Sequence, residues 1–449
     1  MRRQRLTVAD KGWSWVVMVG SFGSSMITGS LHTGVGVIHN ILMERFDENV
    51  VKTSWASSLY IGMVSLTGIL ASVLINRFSC RVTMFIGAFL MSVGFIICAF
   101  VPSLDLVIIF FGVLTGIGSG LVYFAAYAVL GYNFSHKRNI AIGIAVSGVG
   151  IGNLVIVPFV HAAREEYGNT GFFFILAGIA LQEALFGCLF FPSELETKQK
   201  IRYQNMKREN NMTVLNSIFH SLSILKCKSF LCLCVSMFFS SSGIHLVHVH
   251  LPRYAIEKGS SSMSASFLVS VYGICDCISR LLTGFATQDE NIDEIVIYFG
   301  TFGLLGLSTL FFPLYASTYG GQLTYSVFFG LYSGCYTSVI NTLTIHLLGI
   351  ENLSAGLGLY LFFCGVGSII GPVTAGAIID YTRSYENSFL VAGSCITVAS
   401  LLGIAVEWFR KTAKRFPTND TKIPTVSETV TMENMAGFVD HSNTDGSKG

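Results

Sequence analysis

The sequence predicts an all-α membrane protein whose twelve transmembrane helices form two halves of six. Of the 449 residues, 52% are hydrophobic and 12% are charged, and the mean hydropathy is +0.62. Soluble domains carry roughly 25% charged residues, so this composition excludes an ordinary soluble enzyme. Two further observations favour the fold class: long apolar runs recur along the chain, and one long polar break divides them equally.

Twelve apolar runs approach or exceed the length that crosses a bilayer. A hydrocarbon core of roughly 30 Å needs about 20 helical residues. The runs are at about 14–42, 53–75, 82–101, 104–131, 139–161, 171–191, 228–251, 263–285, 295–314, 322–349, 354–378 and 387–409. The first run has a basic flank and exceeds the apolar core of a signal peptide, so we expect a retained first helix.

The polar break at 192–227 separates the first six runs from the last six. The halves also resemble each other. "GIGSGLVY" at 116–123 aligns with "GLYSGCYT" at 330–337, and "SGVGIGN" at 147–153 aligns with "CGVGSII" at 364–370. Repeated halves with a site at their interface are typical of secondary transporters. We therefore predict an N-terminal half at 1–191, a cytoplasmic linker at 192–227, a C-terminal half at 228–409 and a disordered cytoplasmic tail at 410–449.

The basic residues predict the orientation of the helices. When the N-terminal tail, the loops and the residues directly after the last helix are counted, the side of the two termini carries nineteen Lys and Arg residues and the opposite side carries six. The positive-inside rule therefore predicts that both termini are cytoplasmic. The acidic loop "QDENIDE" (288–294) would also be cytoplasmic, which the rule tolerates because acidic residues contribute little to it.

Two full charges lie near the middle of the eighth run, in "GICDCISRLLTG" (273–284). Asp276 and Arg280 are four residues apart and so share one helix face. Charges at the bilayer centre cost roughly 2.5–3.5 kcal/mol each on insertion scales, so we expect both to face protein or water. In one interpretation Arg280 holds an anionic group of a solute, and Asp276 competes for it and takes up a proton. In the other, the ion pair neutralises itself and joins two helices.

Other polar residues of the apolar runs are weaker candidates. His32 in the first run and Asn341 in the tenth are candidate substrate contacts, or else make helix-packing hydrogen bonds. Glu183 in the sixth run has no evident partner. "HLVHVH" places His245, His248 and His250 near the outer end of the seventh helix, and the first two have a spacing that could share a metal, although no set of further ligands completes a site.

Motifs of enzymes and pumps are missing from the sequence. It contains no phosphate-binding loop, HExxH motif or nucleophile elbow. We therefore expect no enzyme activity, no cofactor, no nucleic-acid partner and no ATP-driven transport.

Three features, "DKGWSW" (10–15), "FSHKRNIAIGIAVSG" (134–148) and the pair of Asp276 and Arg280, resemble those of a known family, the monocarboxylate transporters of the major facilitator superfamily. "DKGWSW" (10–15) is similar to the signature at the family's first helix, with departures at Lys11 and Ser14. "FSHKRNIAIGIAVSG" (134–148) is similar to its second signature, although Asn133 stands where the family usually has Tyr. Asp276 and Arg280 match the family's Asp-x-x-x-Arg pair, which handles protons and substrate anions. The resemblance covers all twelve predicted helices and implies the major facilitator fold.

The sequence departs from the proton-coupled lactate carriers of that family. Those members have a lysine within the first helix, whereas no lysine occurs here between Lys11 and Lys52. Relatives without the lysine carry aromatic amino acids, thyroid hormones or creatine, some by facilitated diffusion. Some family members also need a single-span ancillary glycoprotein to reach the cell surface, and the sequence leaves that partner open.

The favoured hypothesis is a plasma-membrane carrier that moves a small monocarboxylate-type solute by alternating access, as a uniporter or a proton-linked symporter. Arg280 would bind the substrate anion, Asp276 would couple protons, and His32 and Asn341 would lie near the substrate. The first alternative is a proton-independent carrier of a zwitterion such as an aromatic amino acid or a creatine-like solute. The second is a transporter-like sensor or scaffold that signals through its polar tail.

Overall fold

A computed structural model gives the fold of the chain. It describes residues 11–134, 138–194, 196–197, 200–201, 224–286, 293–348 and 353–415. Within these residues the regular structure is helical and contains no strand element, as the fold class requires. The predictions for the tail beyond 415 and for most of the linker concern residues outside the described ranges.

The helical segments are numbered α1 to α12 in chain order. α1 comprises Trp13–Ser24, a π-helical turn at Ser25–Gly29, Ser30–Thr33 and Val35–Phe46; α2 comprises Val50–Leu66 and Gly68–Arg77; α3 is Cys80–Phe100; α4 comprises Leu104–Val107, a π-helical piece at Ile108–Thr115, and Gly116–Asn133. The helix Arg138–Leu189 contains both the fifth and the sixth predicted spans. Gly168 bends it (φ 66°, ψ −172°), and the parts before and after this residue are α5 and α6.

The second set of helices follows the linker. α7 is Lys228–Glu257, α8 is Ser262–Ala286, α9 is Glu294–Leu310, α10 comprises Tyr319–Ser333 and Cys335–Leu348, α11 is Leu353–Thr382 and α12 is Tyr385–Arg415. Two short helices, Ile224–Lys226 and Phe312–Tyr315, precede α7 and follow α9. Below, "N-terminal half" means α1–α6 and "C-terminal half" means α7–α12, in line with the predicted division.

Several helices begin at a residue whose side chain accepts a backbone hydrogen bond from the first turn. The cap residues are Asn49 for α2, Ser79 for α3, Asp293 for α9 and Thr318 for α10. The first N–H groups of a helix have no partner within it, so these short polar side chains supply the missing acceptors. They explain why the helices start where the apolar runs begin.

Seven of the described helices are long and apolar enough to cross a membrane: α3, α4, the continuous α5–α6 helix, α7, α8, α11 and α12. α1, α2 and α10 are divided into shorter pieces, and α9 has 17 residues. The count of twelve spans therefore stays a prediction. Large apolar side chains on the outer faces are exposed, as lipid-facing residues are, including Phe89, Phe100, Leu185 and Leu401.

Among the described residues, the two halves contact each other chiefly along three helix pairs: α2 with α11, α5 with α8, and α1 with α7. Buried serine side chains are frequent in the interior, among them Ser57, Ser241, Ser270 and Ser368. Small polar residues allow helices to approach closely in lipid and to hydrogen-bond across the contact. We call the end of the bundle that carries the turns 47–49 and 383–384 the predicted outer end.

Candidate functional site

The charged pair on α8 forms as its spacing predicts. Arg280 donates a hydrogen bond from Nε to Oδ2 of Asp276 at 2.7 Å. The side chains are 18% and 8% exposed, respectively, so both lie in the interior of the bundle. The ion pair shows that the two side chains share a helix face, whereas their exclusion from lipid and their functional roles stay predictions.

Gly334 of α10 packs directly against this pair. It lies at the break between the two pieces of α10, where its backbone is still right-handed helical. A Cβ atom at this position would be 2.5 Å from Oδ1 of Asp276 and 3.1 Å from Cγ of Arg280. Only a residue without a side chain therefore fits here without moving the ion pair.

Aromatic residues from both halves surround the arginine. The phenols of Tyr123 and Tyr127 on α4 lie within electrostatic range of Arg280, and their rings are 4.4 Å apart between centroids. Tyr336 on α10 also lies within electrostatic range of the guanidinium group. The pair thus lies between the two halves, which is where a two-half carrier places its solute.

His32 is part of a row of aromatic rings that crosses from α1 to α8. Its ring centroid is 5.5 Å from that of His245, and His245 is 5.5 Å from His248. His248 stacks on Tyr272 at 5.2 Å with an angle of 18° between the ring planes. Tyr272, at the end of the row, precedes Asp276 by four residues and lies on the same face of α8, so the row leads to the ion pair.

Hydrogen bonds fix the middle of this row. Nδ1 of His245 lies 3.1 Å from the hydroxyl oxygens of Ser241 and Ser368. His250 is separate, because its Nε2 lies 3.1 Å from the carbonyl oxygen of Pro372 and its ring contacts His39 at 5.2 Å. In the part of the chain that the structure describes, no group of three or more His, Cys, Asp or Glu residues is arranged to hold a metal ion.

A second set of contacts was not predicted from the sequence. Tyr272 of α8 donates a hydrogen bond to the carbonyl oxygen of Thr33, and Thr33 donates from its hydroxyl to Oδ1 of Asn153 on α5 at 2.8 Å. Ser270 donates to the Asn153 carbonyl at 2.9 Å. One signal was available, since Tyr272 precedes Asp276 by four residues and therefore lies on the same face of α8.

Of the two remaining polar candidates, Glu183 has a hydrogen-bond partner in the structure and the side chain of Asn341 is not described. Glu183 is fully buried on α6, and its Oε1 accepts a hydrogen bond of 2.6 Å from the hydroxyl of Thr28 in the π-helical turn of α1. The sequence had suggested no partner for it. Asn341 belongs to the helix Cys335–Leu348, but its side chain lies outside the described residues.

The sequence matches a family model and several characterised relatives. The Major Facilitator Superfamily model matches residues 14–372 and 259–431. Monocarboxylate transporter 12 of Homo sapiens is 30% identical over 92% of this chain and 85% of its own length. Monocarboxylate transporter 12 of Xenopus laevis is 30% identical over 89% and 90%, and monocarboxylate transporter 4 of Gallus gallus is 27% identical over 88% and 82%.

The fold is also similar to those of solved transporters. A crystal structure of the peptide transporter POT in complex with sulfate superposes with a TM-score of 0.68, covering 91% of this chain and 97% of that one at 14% identity. A POT family transporter in complex with 5-aminolevulinic acid gives a TM-score of 0.70 at 13% identity, covering 90% and 98%. At this identity the likeness concerns the fold alone. The sequence match and the helical bundle together make this chain a membrane transporter of the monocarboxylate transporter family within the major facilitator superfamily.

Proposed function

We propose that the protein carries a small monocarboxylate-type organic solute across the plasma membrane by alternating access, with Arg280 as the group that binds the substrate carboxylate. The observation that carries this proposal is the ion pair of Arg280 and Asp276 between the two halves, at 2.7 Å and largely shielded from solvent. A guanidinium group matches the geometry of a carboxylate and keeps its charge under all physiological conditions.

Asp276 is the proposed exchangeable partner of Arg280. A substrate carboxylate that approaches Arg280 competes with the carboxylate already present, because both require the same donors. Displacement leaves Asp276 as a buried carboxylate without its cation, which strongly favours protonation. Substrate binding and proton uptake are therefore coupled at one residue, and His32 with its neighbours His245 and His248 lines the adjacent surface.

A second candidate function is proton-independent transport of a zwitterion such as an aromatic amino acid or a creatine-like solute. The observation in its favour is that α1 carries His32 and Thr33 at the site and no lysine between Lys11 and Lys52. In this case Asp276 would keep its negative charge and bind the cationic group of the solute, while Arg280 binds its carboxylate. The rings of Tyr123, Tyr127 and Tyr336 would contact the planar part of such a solute.

Two features of the cellular setting belong to the proposal. Both termini are placed in the cytoplasm on the basis of the nineteen Lys and Arg residues on their side. A single-span glycoprotein is kept as a candidate partner for delivery to the plasma membrane, because some family members require one.

The test is uptake into proteoliposomes that contain the purified protein. Labelled lactate, pyruvate, a ketone body, aromatic amino acids and creatine are each offered with and without an inward proton gradient. Arg280→Ala is expected to lower uptake of the transported solute by at least about 30-fold, because truncating one partner of a buried charge pair costs roughly 2–5 kcal/mol. Accumulation driven by the proton gradient supports transport of a monocarboxylate coupled to protons. Uptake that does not depend on the gradient supports proton-independent transport of a zwitterion.

Arg410→Ala is a matched control. Its side chain is 19% exposed, nearly the same as that of Arg280, and it pairs with Asp293 and Glu407 away from the site. It should retain the uptake rate per folded protein. If Arg280→Ala folds and transports as well as this control, Arg280 does not bind the substrate and the ion pair only joins helices.

A further inference from the structure

A carboxylate of one half caps a helix of the other at the predicted outer end. Asp380, near the end of α11, accepts hydrogen bonds from the backbone N–H of Val50 through Oδ1 at 3.2 Å and of Val51 through Oδ2 at 3.1 Å. These are two of the first N–H groups of α2, which have no acceptor within their own helix. The side chain of Asn49 accepts from the N–H of Lys52, and Asp380 of the C-terminal half supplies acceptors for the N–H groups of Val50 and Val51.

The backbones of the same two helices meet one turn before Asp380. A Cβ atom on Gly376 would be 2.9 Å from Cα of Val51 and 3.1 Å from its amide nitrogen. The absence of a side chain at Gly376 thus allows α11 to approach α2 closely enough for the Asp380 carboxylate to reach both N–H groups. The carboxylate of Asp380 and the missing side chain of Gly376 therefore both contribute to the contact between α11 and α2.

Several further contacts between the halves also lie on the outer side of Arg280. Glu44 on α1 pairs with Arg253 on α7 at 4.0 Å near the predicted outer end. On α8, Ser270 and Tyr272, which bond to α5 and α1, precede Arg280 by ten and eight residues. At 1.5 Å per residue these positions are about 15 and 12 Å closer to the start of α8. The structure is therefore closed between the site and the predicted outer end.

We propose that Asp380 is the latch of this closed end: its carboxylate holds the start of α2 against α11, and alternating access requires that both hydrogen bonds break. The inference rests on the proposed alternating-access function and deepens it by naming a residue that positions the halves. An anion at a helix N-terminus contributes modestly, which suits a contact that must open and close in every cycle. Water replaces the carboxylate at both N–H groups when the end opens.

The test measures the exposure of a thiol placed beneath the latch. Ser57 on α2 is fully buried, two turns from Val50, and its hydroxyl oxygen lies 3.4 Å from Nδ1 of His39. Ser57→Cys is introduced alone and together with Asp380→Asn, and labelling by a polar maleimide is followed in detergent-purified protein, where both ends are reachable. The parent without Ser57→Cys gives the labelling of the eleven native cysteines, which is subtracted.

Asp380→Asn should raise the labelling rate at position 57 by about 2- to 30-fold, the factor that corresponds to losing the interaction of a charge with a helix N-terminus. Gly376→Ala should raise it as well, because the added methyl group pushes Val51 away. Asp105→Asn is the control: this carboxylate is also at the predicted outer end, but it is 71% exposed and pairs with Lys52 of its own half. It should leave the rate unchanged.

Each outcome decides the proposal without reference to a substrate. If Asp380→Asn labels at the rate of Ser57→Cys alone, the carboxylate does not hold the end closed and the inference is wrong, even where Gly376→Ala opens it. If Asp105→Asn raises the rate as much as Asp380→Asn, loss of any outer negative charge suffices and the specific latch is refuted. Arg280→Ala, combined with Ser57→Cys, should abolish uptake and leave the labelling rate unchanged. That result shows that the solute site and the latch are tested separately.

Discussion

Replacing Gly334 with alanine tests whether the geometry of the charged pair, rather than its mere presence, supports transport. The added Cβ would lie 2.5 Å from Oδ1 of Asp276 and 2.9 Å from its carbonyl oxygen. Both distances are shorter than a carbon atom and an oxygen atom tolerate without a bond between them. The backbone of Gly334 (φ −80°, ψ −24°) accepts alanine without strain, so the effect is purely steric. The short side chain of Asp276 must then rotate, which breaks its 2.7 Å hydrogen bond to Arg280.

The magnitude follows from the cost of overpacking an interior. One extra methyl group in a well-packed site costs about 1–3 kcal/mol. If that cost falls on the state that binds the solute, transport efficiency falls by about 5- to 150-fold. Both charges remain in the protein, so the loss should be smaller than that of Arg280→Ala and should appear mainly in the substrate concentration needed for half-maximal uptake.

The assay is initial uptake against substrate concentration in proteoliposomes, normalised to folded protein. Gly300→Ala is the control, since it also adds one methyl group inside a helix of the C-terminal half but meets no atom within 4 Å. It should transport normally. If Gly334→Ala takes up substrate as efficiently as Gly300→Ala, the reasoning is refuted, because transport would then tolerate a displaced Asp276 carboxylate.

Two further predictions concern stability and are read from thermal unfolding of purified protein. Thr28→Val removes the donor to the buried Glu183 and should lower the free energy of unfolding by about 1–3 kcal/mol, whereas Glu183→Gln keeps an acceptor for Thr28 and should lose less; equal losses would contradict the assigned hydrogen bond. Burial raises the pKa of Glu196 above 4.5, although its Oε1 accepts from the Cys80 amide at 2.9 Å. Because the folded pKa exceeds the unfolded one, this group stabilises the fold at low pH and loses that contribution as pH rises through the folded pKa. The melting temperature of the wild type relative to Glu196→Gln should therefore fall between pH 4 and pH 7, and a constant difference would exclude the raised pKa.

Contacts within one helix could be predicted from the sequence, and contacts between helices largely could not. The pairing of Asp276 with Arg280 follows from a spacing of four residues, since helical geometry alone brings them together. The proximity of His245 and His248 follows from the same rule at a spacing of three. The polarity of His32 within an apolar run makes it a candidate, but its contact with His245 depends on how α1 and α7 pack.

Partners that are distant along the chain leave no local signal. Asp380 is separated from Val50 by 330 residues, and Glu183 from Thr28 by 155. Each side chain is unremarkable in its own segment, and its role depends on the rotation and depth of two packed helices. At Gly168 the sequence likewise predicts a polar loop between two spans, whereas the structure has a single-residue bend, because "REEYGNT" (164–170) is polar whether or not it is helical.

That bend has a mechanical consequence. Gly168 has backbone angles that are essentially restricted to glycine, and helix continues on both sides of it. No slack chain therefore separates α5 from α6, so a tilt of α5 against α8 is transmitted to α6 and, through Glu183 and Thr28, to α1. We therefore expect α5, α6 and α1 to move together as one rigid body. An epitope or fluorescent tag inserted at 168 would uncouple them, whereas insertions at exposed loop tips are generally tolerated.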